Sequence, residues 1–279
     1  MKILITGSNG QLGQAFLKQL SVHNLIPINR DDCDLINLDK IKDTIDQNIP
    51  DLIINTAAYT NVEQAEEDKD IAFKINNLAP KIMAEKALEL NIPLIHFSTD
   101  YVFDGEKSEG YIETDLENPL GVYGESKLAG DQSIQNVGGQ FYIFRTSWIY
   151  SSGNNNFASK IKKLSFKHDA LKVVSDQFGV PTSAEFIAKS IFKIIPRLKN
   201  NNVGIYHLVP DGQSSWYEFA KLIIGSKNPK FNLQNLSPIS SDLYQGRAKR
   251  PKNSILNNQK IKDIFSLDIE SWEKYYDEL

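Results

Sequence analysis

The first half of the chain alternates short apolar runs with segments whose apolar residues recur at helical spacing. Runs such as Leu52–Thr56 are apolar at nearly every position, which is typical of strands buried on both faces of a parallel sheet. The predicted strands are Lys2–Thr6, Leu25–Asn29, Leu52–Thr56, Leu94–Ser98 and Phe141–Thr146. The predicted helices between them are Gln11–Leu20, Ile41–Gln47, Ala72–Leu90 and Tyr123–Gln135. This alternation predicts βαβ units and a doubly wound α/β fold.

The pattern becomes less regular after about Trp148. Helical spacing returns in Phe157–Phe166 and Glu185–Leu198, and Gly204–Val209 has the pattern of a strand. No repeat or low-complexity linker separates the two halves. We therefore expect residues 1–150 to form the doubly wound domain, which the chain re-enters near residues 184–209, and residues 151–279 to form mainly a smaller second domain.

Composition narrows the class of protein. The 279 residues are 41% hydrophobic and 24% charged, as in an ordinary globular protein. A formal charge of −4 disfavours binding to nucleic acid. No apolar segment is long enough to cross a membrane, and we expect no signal segment before the first strand. With its single cysteine, Cys33, the chain is expected to be cytoplasmic.

Three glycines follow the first predicted strand and open the first predicted helix. Gly7 and Gly10 allow a tight turn with close backbone approach to a pyrophosphate, and Gly13 allows close packing of helix and strand. The helix N-terminus offers free N–H groups to phosphate. Glycine turns also join strands to helices where no ligand binds. In this position, however, the loop predicts a Rossmann-like NAD(P)-binding domain.

The end of the second predicted strand bears on the choice of cofactor. An arginine there accommodates the phosphate of NADP, whereas an acidic residue binds the ribose hydroxyls of NAD. Arg30 comes first and favours NADPH, while Asp31 and Asp32 keep NADH open. A solvated charged turn is the alternative interpretation.

Tyr123 and Lys127 lie four residues apart, which places both side chains on one face of a predicted helix. A tyrosine hydroxyl can protonate a carbonyl oxygen as hydride arrives, and a nearby ammonium lowers the tyrosine pKa. Tyr217–Lys221 has the same spacing, but it follows Ser214–Trp216 and resembles a capped structural helix. Tyr123 instead lies downstream of Phe97–Phe103, where a buried strand ends in hydroxyl groups. Active sites of open α/β sheets lie at such ends.

Several longer strings make the resemblance specific. The chain resembles the dTDP-4-dehydrorhamnose reductases of the extended short-chain dehydrogenase/reductase superfamily, from Met1 nearly to the C-terminus. The strings that carry the resemblance are Gly7–Gly13, Asn55–Ala58, Ser98–Gly105, Pro119–Gly124, Ser126–Gly130, Arg145–Trp148, Asp176–Thr182 and Arg250-Pro251.

The resemblance implies roles for individual residues. Thr99 would bind the C4 carbonyl of the substrate, Tyr123 would deliver a proton to it, and Lys127 would bind the nicotinamide ribose and lower the tyrosine pKa. Asp100 and Trp148 match positions that contact the substrate sugar, as Tyr123 also does. Besides the glycine loop, Arg30, Tyr123 and Lys127, the expected cofactor contacts are Gln11, Leu12, Asp34, Leu35, Ala57, Ala58 and Tyr59. The smaller domain would then bind the substrate.

Arg250 lies in a basic loop with Arg247 and Lys249. A guanidinium suits phosphate oxygens, so Arg250 is a candidate for binding the nucleotide diphosphate. A solvated basic loop is the alternative interpretation.

We expect no metal site. The histidines, His23, His96, His168 and His207, lack ligand spacing. Some members of the family place Mg²⁺ between subunits, and Glu185 matches one ligand position, but Ala15 replaces the corresponding carboxylate. A monomer or weak homodimer is therefore expected.

The resemblance implies NADPH-dependent reduction of the C4 keto group of dTDP-6-deoxy-L-lyxo-4-hexulose to dTDP-L-rhamnose, for surface polysaccharide synthesis. Rival hypotheses are a related 4-ketoreductase or epimerase acting on another nucleotide sugar, and a catalytically silent binding subunit. A hydrolase is disfavoured because no motif places a histidine beside Ser98 and Asp100. His96 is close in sequence, but it is expected to be a packing residue of its strand.

Overall fold

The computed structural model describes residues 1–153, 156–243 and 246–276. Its strands in chain order are β1 (Lys2–Thr6), β2 (Asn24–Ile28), β3 (Leu52–Asn55), β4 (Leu94–Thr99), β5 (Phe141–Thr146), β6 (Ile149–Tyr150), β7 (Leu171–Val174), β8 (Phe178–Gly179), β9 (Thr182–Ser183), β10 (Gly204–His207), β11 (Ser214–Ser215) and β12 (Leu236–Ile239). Its helices are α1 (Gln11–Lys18), α2 (Leu38–Asn48), α3 (Val62–Ala65), α4 (Lys69–Phe73), α5 (Ala79–Leu90), α6 (Val122–Val137), α7 (Phe157–Lys167), α8 (Ala184–Ile194), α9 (Trp216–Lys227) and α10 (Gln259–Phe265).

A parallel sheet lies at the centre, and its described strands follow the order β10-β5-β4-β3-β1-β2. The order reverses between β1 and β3, and a crevice opens outside the carboxyl ends of the strands at such a switch point. The α/β doubly wound fold predicted from the pattern is confirmed. The strand near residues 184–209, β10, pairs with β5 at the sheet edge.

Alternating residues of the strands bury both faces of the sheet. Ile3 and Ile5 pack on one side against α1, α8 and α10, with Phe16 and Ile187 in the same core. Leu4 packs on the other side against α2 and α5. Because helices cover both faces, the central strands are apolar at most positions, and this pattern allowed them to be predicted from the sequence.

The predicted helix Ala72–Leu90 is interrupted. A π-helical turn, Lys74–Leu78, lies between α4 and α5. Pro80 has no N–H group, so the carbonyl of Asn76 lacks its ordinary helical donor. α6 packs closely on this carbonyl, since a Cβ on Gly130 would lie 2.1 Å from the Asn76 oxygen. A continuous pattern of apolar residues did not reveal this turn.

A second core holds the smaller part of the molecule together. β7 pairs with β12, β8 with β11, and β6 with β9, while α7 packs against α9. Phe219 and Ile223 of α9 lie in this core together with Phe103 and Tyr111 from the loop after β4. Each core therefore contains residues from both sides of residue 150. Among the described residues, no helix is both long and apolar enough to cross a membrane.

Candidate active site

A cleft of about 950 Å³ runs along the carboxyl ends of the central strands and reaches the second core. This volume lies at the upper end of the range for small-molecule sites. Its lining includes most of the residues that the sequence singled out for cofactor and substrate: Gly7, Gly10, Gln11, Leu12, Arg30, Asp34, Leu35, Ala57, Ala58, Tyr59, Thr99, Asp100, Tyr123, Lys127 and Trp148.

The glycine loop has the geometry of a phosphate cradle. Gly7 adopts a φ of +68°, and a Cβ there would lie 2.7 Å from the Ala57 backbone. A Cβ on Gly13 would lie 2.4 Å from the Gly7 carbonyl oxygen. Gly10 provides no side-chain cap for α1, so the first-turn N–H groups are left for a ligand. These observations fit the pyrophosphate of a dinucleotide.

The end of β2 presents paired charges to the cleft. Arg30 Nε lies 3.2 Å from Asp34 Oδ2, and 76% of the arginine side chain is exposed. A backbone hydrogen bond from Ile36 is the main cause that holds the pKa of Asp34 below its usual value, and Arg30 adds to it. An exposed guanidinium held in this way can bind a phosphate by donating hydrogen bonds to its oxygens.

Gln11 connects the glycine loop to the second half of the chain. Its Oε1 accepts hydrogen bonds from Ser151 Oγ at 3.0 Å and from Asn156 Nδ2 at 2.8 Å. The sequence predicted only a cofactor contact at Gln11, because contacts over 140 residues are invisible in a local pattern.

The Ala57–Tyr59 segment is held from below by Asn76. Asn76 Oδ1 accepts from the Tyr59 N–H at 2.8 Å, and its Nδ2 donates to Ser126 Oγ at 3.0 Å. The π-helical turn thus connects the cofactor side of the cleft to α6. Tyr59 donates its hydroxyl to Asp68 at 2.8 Å, and burial with this contact raises its pKa to about 12.

Thr99, Asp100 and Tyr123 meet at the end of β4. Thr99 Oγ1 donates to Asp100 Oδ1 at 3.0 Å. Thr99 lies close enough to Tyr123 to lower the tyrosine pKa, against the larger effect of burial. The aromatic ring of Tyr101 packs edge-on against Tyr123, with centroids 5.7 Å apart. Two hydroxyl groups and a carboxyl group are therefore grouped at one point of the cleft.

The pKa of Tyr123 is raised to about 12, mainly by burial, with Asp100 and Asp131 adding to the effect. This result differs from the expectation that Lys127 lowers the tyrosine pKa. The reason is geometric, because the Lys127 amine is hydrogen-bonded elsewhere. Tyr123 is consequently protonated at neutral pH.

Lys127 extends beneath the end of β4 and is 1% exposed. Its Nζ donates to the Phe97 carbonyl oxygen at 2.7 Å and lies 3.1 Å from His96 Nε2. Burial lowers its pKa to about 8, although Asp131 opposes the shift. A lysine with such a pKa changes its charge close to neutral pH.

Asp131 is one turn further along α6 and is fully buried. It accepts from Ser98 Oγ at 2.9 Å and pairs with Arg145 Nε at 3.3 Å. Arg145 also reaches Glu117 at 2.7 Å. This ion pair holds α6 against β4 and β5, directly behind Thr99 and Lys127.

Trp148 forms an aromatic wall of the cleft. Its indole stacks on that of Trp216, with centroids 3.5 Å apart and an interplanar angle of 9°. Gly179 packs against it so closely that a Cβ would lie 2.5 Å from the ring. Trp148 itself has a φ of +45°, a left-handed conformation that is rare for an aromatic residue. Sequence reasoning missed Trp216, whose position at the start of α9 gave no signal.

Arg250 is not among the residues that line the cleft. Its guanidinium pairs with Glu63 of α3 and is 20% exposed. Glu63 also accepts the N–H groups of Arg247 and Ala248, at 2.6 and 3.0 Å. The basic loop is thus partly neutralised by α3, and a diphosphate would have to compete with Glu63 for Arg250.

Comparison with known proteins decides the family. Residues 1–279 match the family model described as RmlD substrate binding domain. The chain is 37% identical to the dTDP-4-dehydrorhamnose reductase of Escherichia coli strain K12, with 98% of this chain and 95% of the relative covered. The chain belongs to the dTDP-4-dehydrorhamnose reductase family.

Solved structures of dTDP-4-dehydrorhamnose reductases have the same architecture. The protein from Clostridium acetobutylicum superposes with a TM-score of 0.93 at 37% identity, covering 100% of this chain and 98% of its own. The protein from Bacillus anthracis, solved in complex with NADP, gives 0.92 at 33% identity, covering 98% and 96%. The family resemblance carried by the motifs is therefore confirmed.

In this family member, the second tyrosine–lysine pair is structural. Tyr217 donates to the Leu236 carbonyl at 3.3 Å, and Lys221 pairs with Glu218 on the same helix. Ser215 caps α9 by accepting from the Glu218 N–H, as the sequence predicted.

His96 and Asn55 are buried in the sheet next to Lys127, and the sequence did not predict their contacts. His96 was expected to be a packing residue, but it hydrogen-bonds to Asn55 and Lys127. The signal was available: each is a polar residue inside a strand that is otherwise buried on both faces. Within the described part of the chain, no three acidic, histidine or cysteine side chains gather as a metal site.

Proposed function

We propose that this protein reduces the C4 keto group of dTDP-6-deoxy-L-lyxo-4-hexulose with NADPH, giving dTDP-L-rhamnose for surface polysaccharide synthesis. The observation that carries the proposal is the grouping of Thr99, Asp100 and Tyr123 in the same cleft as the Gly7–Gly13 loop. The names of the relatives, at 37% identity over nearly the whole chain, support this substrate.

The residues of the cleft fit a dinucleotide. Gly7, Gly10 and the first turn of α1 would hold its pyrophosphate, and Ala57 packs where a side chain on Gly7 would clash. Arg30 supports NADPH, and the NADP complex of the Bacillus anthracis protein points the same way. When bound, NADPH supplies the hydride that adds to C4 of the sugar.

Tyr123 is the proposed proton donor. Its pKa of about 12 keeps the hydroxyl protonated at neutral pH. As hydride reaches C4, the carbonyl oxygen becomes an alkoxide, a stronger base than the phenolate, and takes the proton from Tyr123. With the sugar bound, Thr99 would turn its hydroxyl proton from Asp100 to that oxygen, which orients the oxygen and stabilises the developing charge.

The remaining proposed contacts divide between cofactor and sugar. Lys127 would bind the nicotinamide ribose, and Asp34, Leu35, Ala58 and Tyr59 line the cleft on the cofactor side. Asp100 and Trp148 line it beside Thr99, where they support a role in holding the sugar. Arg250 remains a candidate for the diphosphate from the edge of the cleft.

The test is a direct assay with purified protein, NADPH and enzymatically made dTDP-6-deoxy-L-lyxo-4-hexulose, following both NADPH absorbance and the nucleotide-sugar product. Tyr123→Phe should lower kcat by at least about a hundredfold while NADPH still binds. Tyr217→Phe, in the structural pair, is the matched control and should stay near wild type. Formation of no dTDP-L-rhamnose by a protein that binds NADPH would overturn the proposed substrate.

We further infer that the protein acts in the cytoplasm as a monomer or weak homodimer. A single cysteine, Cys33, which is 4% exposed, suits a reducing compartment. Light scattering across a concentration series tests the oligomeric state, and a stable assembly at low concentration would contradict it.

A further inference from the structure

A chain of hydrogen bonds crosses the sheet beneath the cleft and ends at Lys127. Thr6 Oγ1 of β1 donates to Asn55 Oδ1 of β3 at 2.7 Å. Asn55 Nδ2 lies 3.0 Å from His96 Nδ1 of β4, and His96 Nε2 lies 3.1 Å from Lys127 Nζ. All four side chains are nearly inaccessible, with exposures of 5%, 1%, 1% and 1%. Their protons must therefore be arranged among themselves, without help from bulk water.

The orientation of Asn55 determines which nitrogen of His96 carries the proton. The backbone N–H of Ala57 donates to Asn55 Oδ1 at 3.2 Å. Because a backbone N–H can only donate, this oxygen must be the acceptor, and the NH₂ group of Asn55 must face His96. The NH₂ group can only donate, so His96 Nδ1 accepts. A neutral His96 then carries its proton on Nε2, facing Lys127.

The proton on Nε2 has a consequence for the lysine. The Lys127 amine donates to the Phe97 carbonyl at 2.7 Å, so it is held by one acceptor already. A neutral amine has a lone pair that accepts the Nε2–H of His96, whereas an ammonium has only donors. An ammonium in this place would set one N–H group against another.

We propose that His96 is a positioning residue for Lys127. Whenever the lysine amine is neutral, His96 donates Nε2–H to it, which holds the side chain beneath β4 and opposes its protonation there. The proposal rests on the proposed function only for what Lys127 does at the cofactor. Protonation of Lys127 breaks the contact with His96 and favours movement of the ammonium towards acceptors in the cleft, such as ribose hydroxyls. Lys127 is then a titrating group of the site rather than a permanent cation.

The surrounding charges agree with this arrangement. Among the described residues, the charge that acts on Lys127 is that of Asp131 on its own helix, and Arg145 from β5 pairs with Asp131. The uncharged ring of His96 faces Lys127 from β4. Tyr123 on α6 is protonated, and Thr6 and Asn55 are uncharged. Burial, and then Lys127, lower the pKa of His96 well below its usual value, so its ring is neutral at pH 7. Burial lowers the pKa of Lys127 to about 8, so the ammonium is the major form at pH 7 and the neutral amine that pairs with His96 becomes the major form only above about pH 8.

The tautomer can be observed directly in the protein without substrate. Two-bond ¹H–¹⁵N correlation spectra distinguish Nε2–H from Nδ1–H imidazoles, and the chain has only four histidines to assign. A ¹³C-lysine titration, with Lys127→Arg for assignment, gives the pH at which Lys127 loses its proton. We expect His96 to be the Nε2–H tautomer. We expect the acid dissociation constant of the Lys127 ammonium to be at least tenfold larger than that of a lysine with a pKa of 10.5.

Asn55→Asp should move the proton of His96 from Nε2 to Nδ1. The carboxylate still accepts from Ala57 and Thr6, but it now also accepts from His96, which places the proton on Nδ1 and turns the Nε2 lone pair towards Lys127. We expect the tautomer to switch and the lysine to bind its proton at least tenfold more tightly. Asn76→Asp is the matched control, because it adds the same charge near Ser126 without contacting His96, and the tautomer should stay unchanged.

The wild-type spectrum alone decides the proposal if a variant fails to fold. An Nδ1–H tautomer or a charged imidazolium at pH 7 overturns it, as does a Lys127 that titrates at its usual pH. None of these readouts needs turnover, so a failed reductase assay leaves this result standing, and the reverse also holds.

Discussion

The indole rings of Trp148 and Trp216 stack face to face, with centroids 3.5 Å apart, and both pack against the second core. Trp148 follows β5 in a left-handed conformation with a φ of +45°. Such a backbone costs about 1–3 kcal/mol unless its surroundings hold it. Trp216 on one face and Gly179 on the other supply that support, and together they fix the wall against which the sugar is proposed to bind.

Trp216→Ala should therefore weaken binding of the sugar, although Trp216 is not proposed to contact the C4 carbon that reacts. An aromatic pair contributes about 0.5–1.5 kcal/mol beyond its buried area, so the KM for the nucleotide sugar should rise roughly threefold to tenfold. NADPH affinity should change less, because the ring contacts of Trp216 are with Trp148 and Phe157 and not with the Gly7–Gly13 loop. Trp216→Phe keeps an aromatic face and serves as the control. An unchanged KM in Trp216→Ala would show that the stack does not support the site.

Arg30 gives a prediction on cofactor choice. With its guanidinium paired to Asp34 at 3.2 Å and largely exposed, Arg30 is ready to contact the 2′-phosphate of NADPH. Arg30→Ala should raise the KM for NADPH about tenfold and leave the KM for NADH unchanged. Lys42→Ala, which removes an exposed charge from α2, controls for the loss of net charge. Equal effects on both cofactors would assign Arg30 to the surface instead.

The features that the sequence predicted are those set by local pattern. The apolar run Leu52–Thr56 and the helical spacing of Tyr123 and Lys127 depend only on neighbouring residues, and so does the glycine turn. The fold could be predicted for this reason, whereas most of the other residues that line the cleft were expected only from the family resemblance. The hydrogen bond between His96 and Asn55 joins residues 41 positions apart on adjacent strands, and only the sheet register brings them together.

Two other features of the site also depend on contacts that the local sequence does not determine. The role of Arg250 depends on Glu63, which lies 187 residues earlier, and an ion pair at that separation leaves no local trace. The tyrosine pKa was expected to fall because Lys127 is one helical turn away. Helical spacing places two side chains on one face, but it does not say which acceptor a long, flexible lysine will reach.

Substitutions of Arg250 and of Glu63 are expected to change the KM for the nucleotide sugar in opposite directions. If Arg250 serves the diphosphate, Arg250→Ala should raise the KM for the nucleotide sugar about tenfold. Glu63→Gln should lower it, because the amide oxygen can still accept from Arg247 and Ala248 while the amide nitrogen no longer holds the guanidinium. Steady-state kinetics with both variants make the comparison. A lowered melting temperature for Arg250→Ala with no change in KM would mean that the ion pair only fastens the basic loop to α3.

Asp100 links the site to stability and pH. It is 2% exposed, and burial raises its pKa to about 6, although hydrogen bonds from Ser254 and Thr99 oppose the shift. The folded state therefore binds this proton more tightly than the unfolded chain, where the carboxyl group has a pKa of 3.8. The stabilisation from this group is complete below the unfolded pKa and is lost as the pH rises through about 6.

At pH 7.5, Asp100→Asn should accordingly be more stable than wild type, by at most about 3 kcal/mol, which corresponds to a rise of roughly 3–6 °C in melting temperature. The advantage should shrink as the pH falls to 4.5, because the wild-type carboxyl group then becomes neutral as well. Asp43→Asn, on the exposed face of α2, is the control and should show neither effect. The gain in stability should be accompanied by a higher KM for the sugar, because the Asp100 carboxylate, which destabilises the folded state at this pH, is proposed to bind the sugar. A variant that is no more stable than wild type at pH 7.5 would mean that the carboxylate is fully compensated by Ser254 and Thr99.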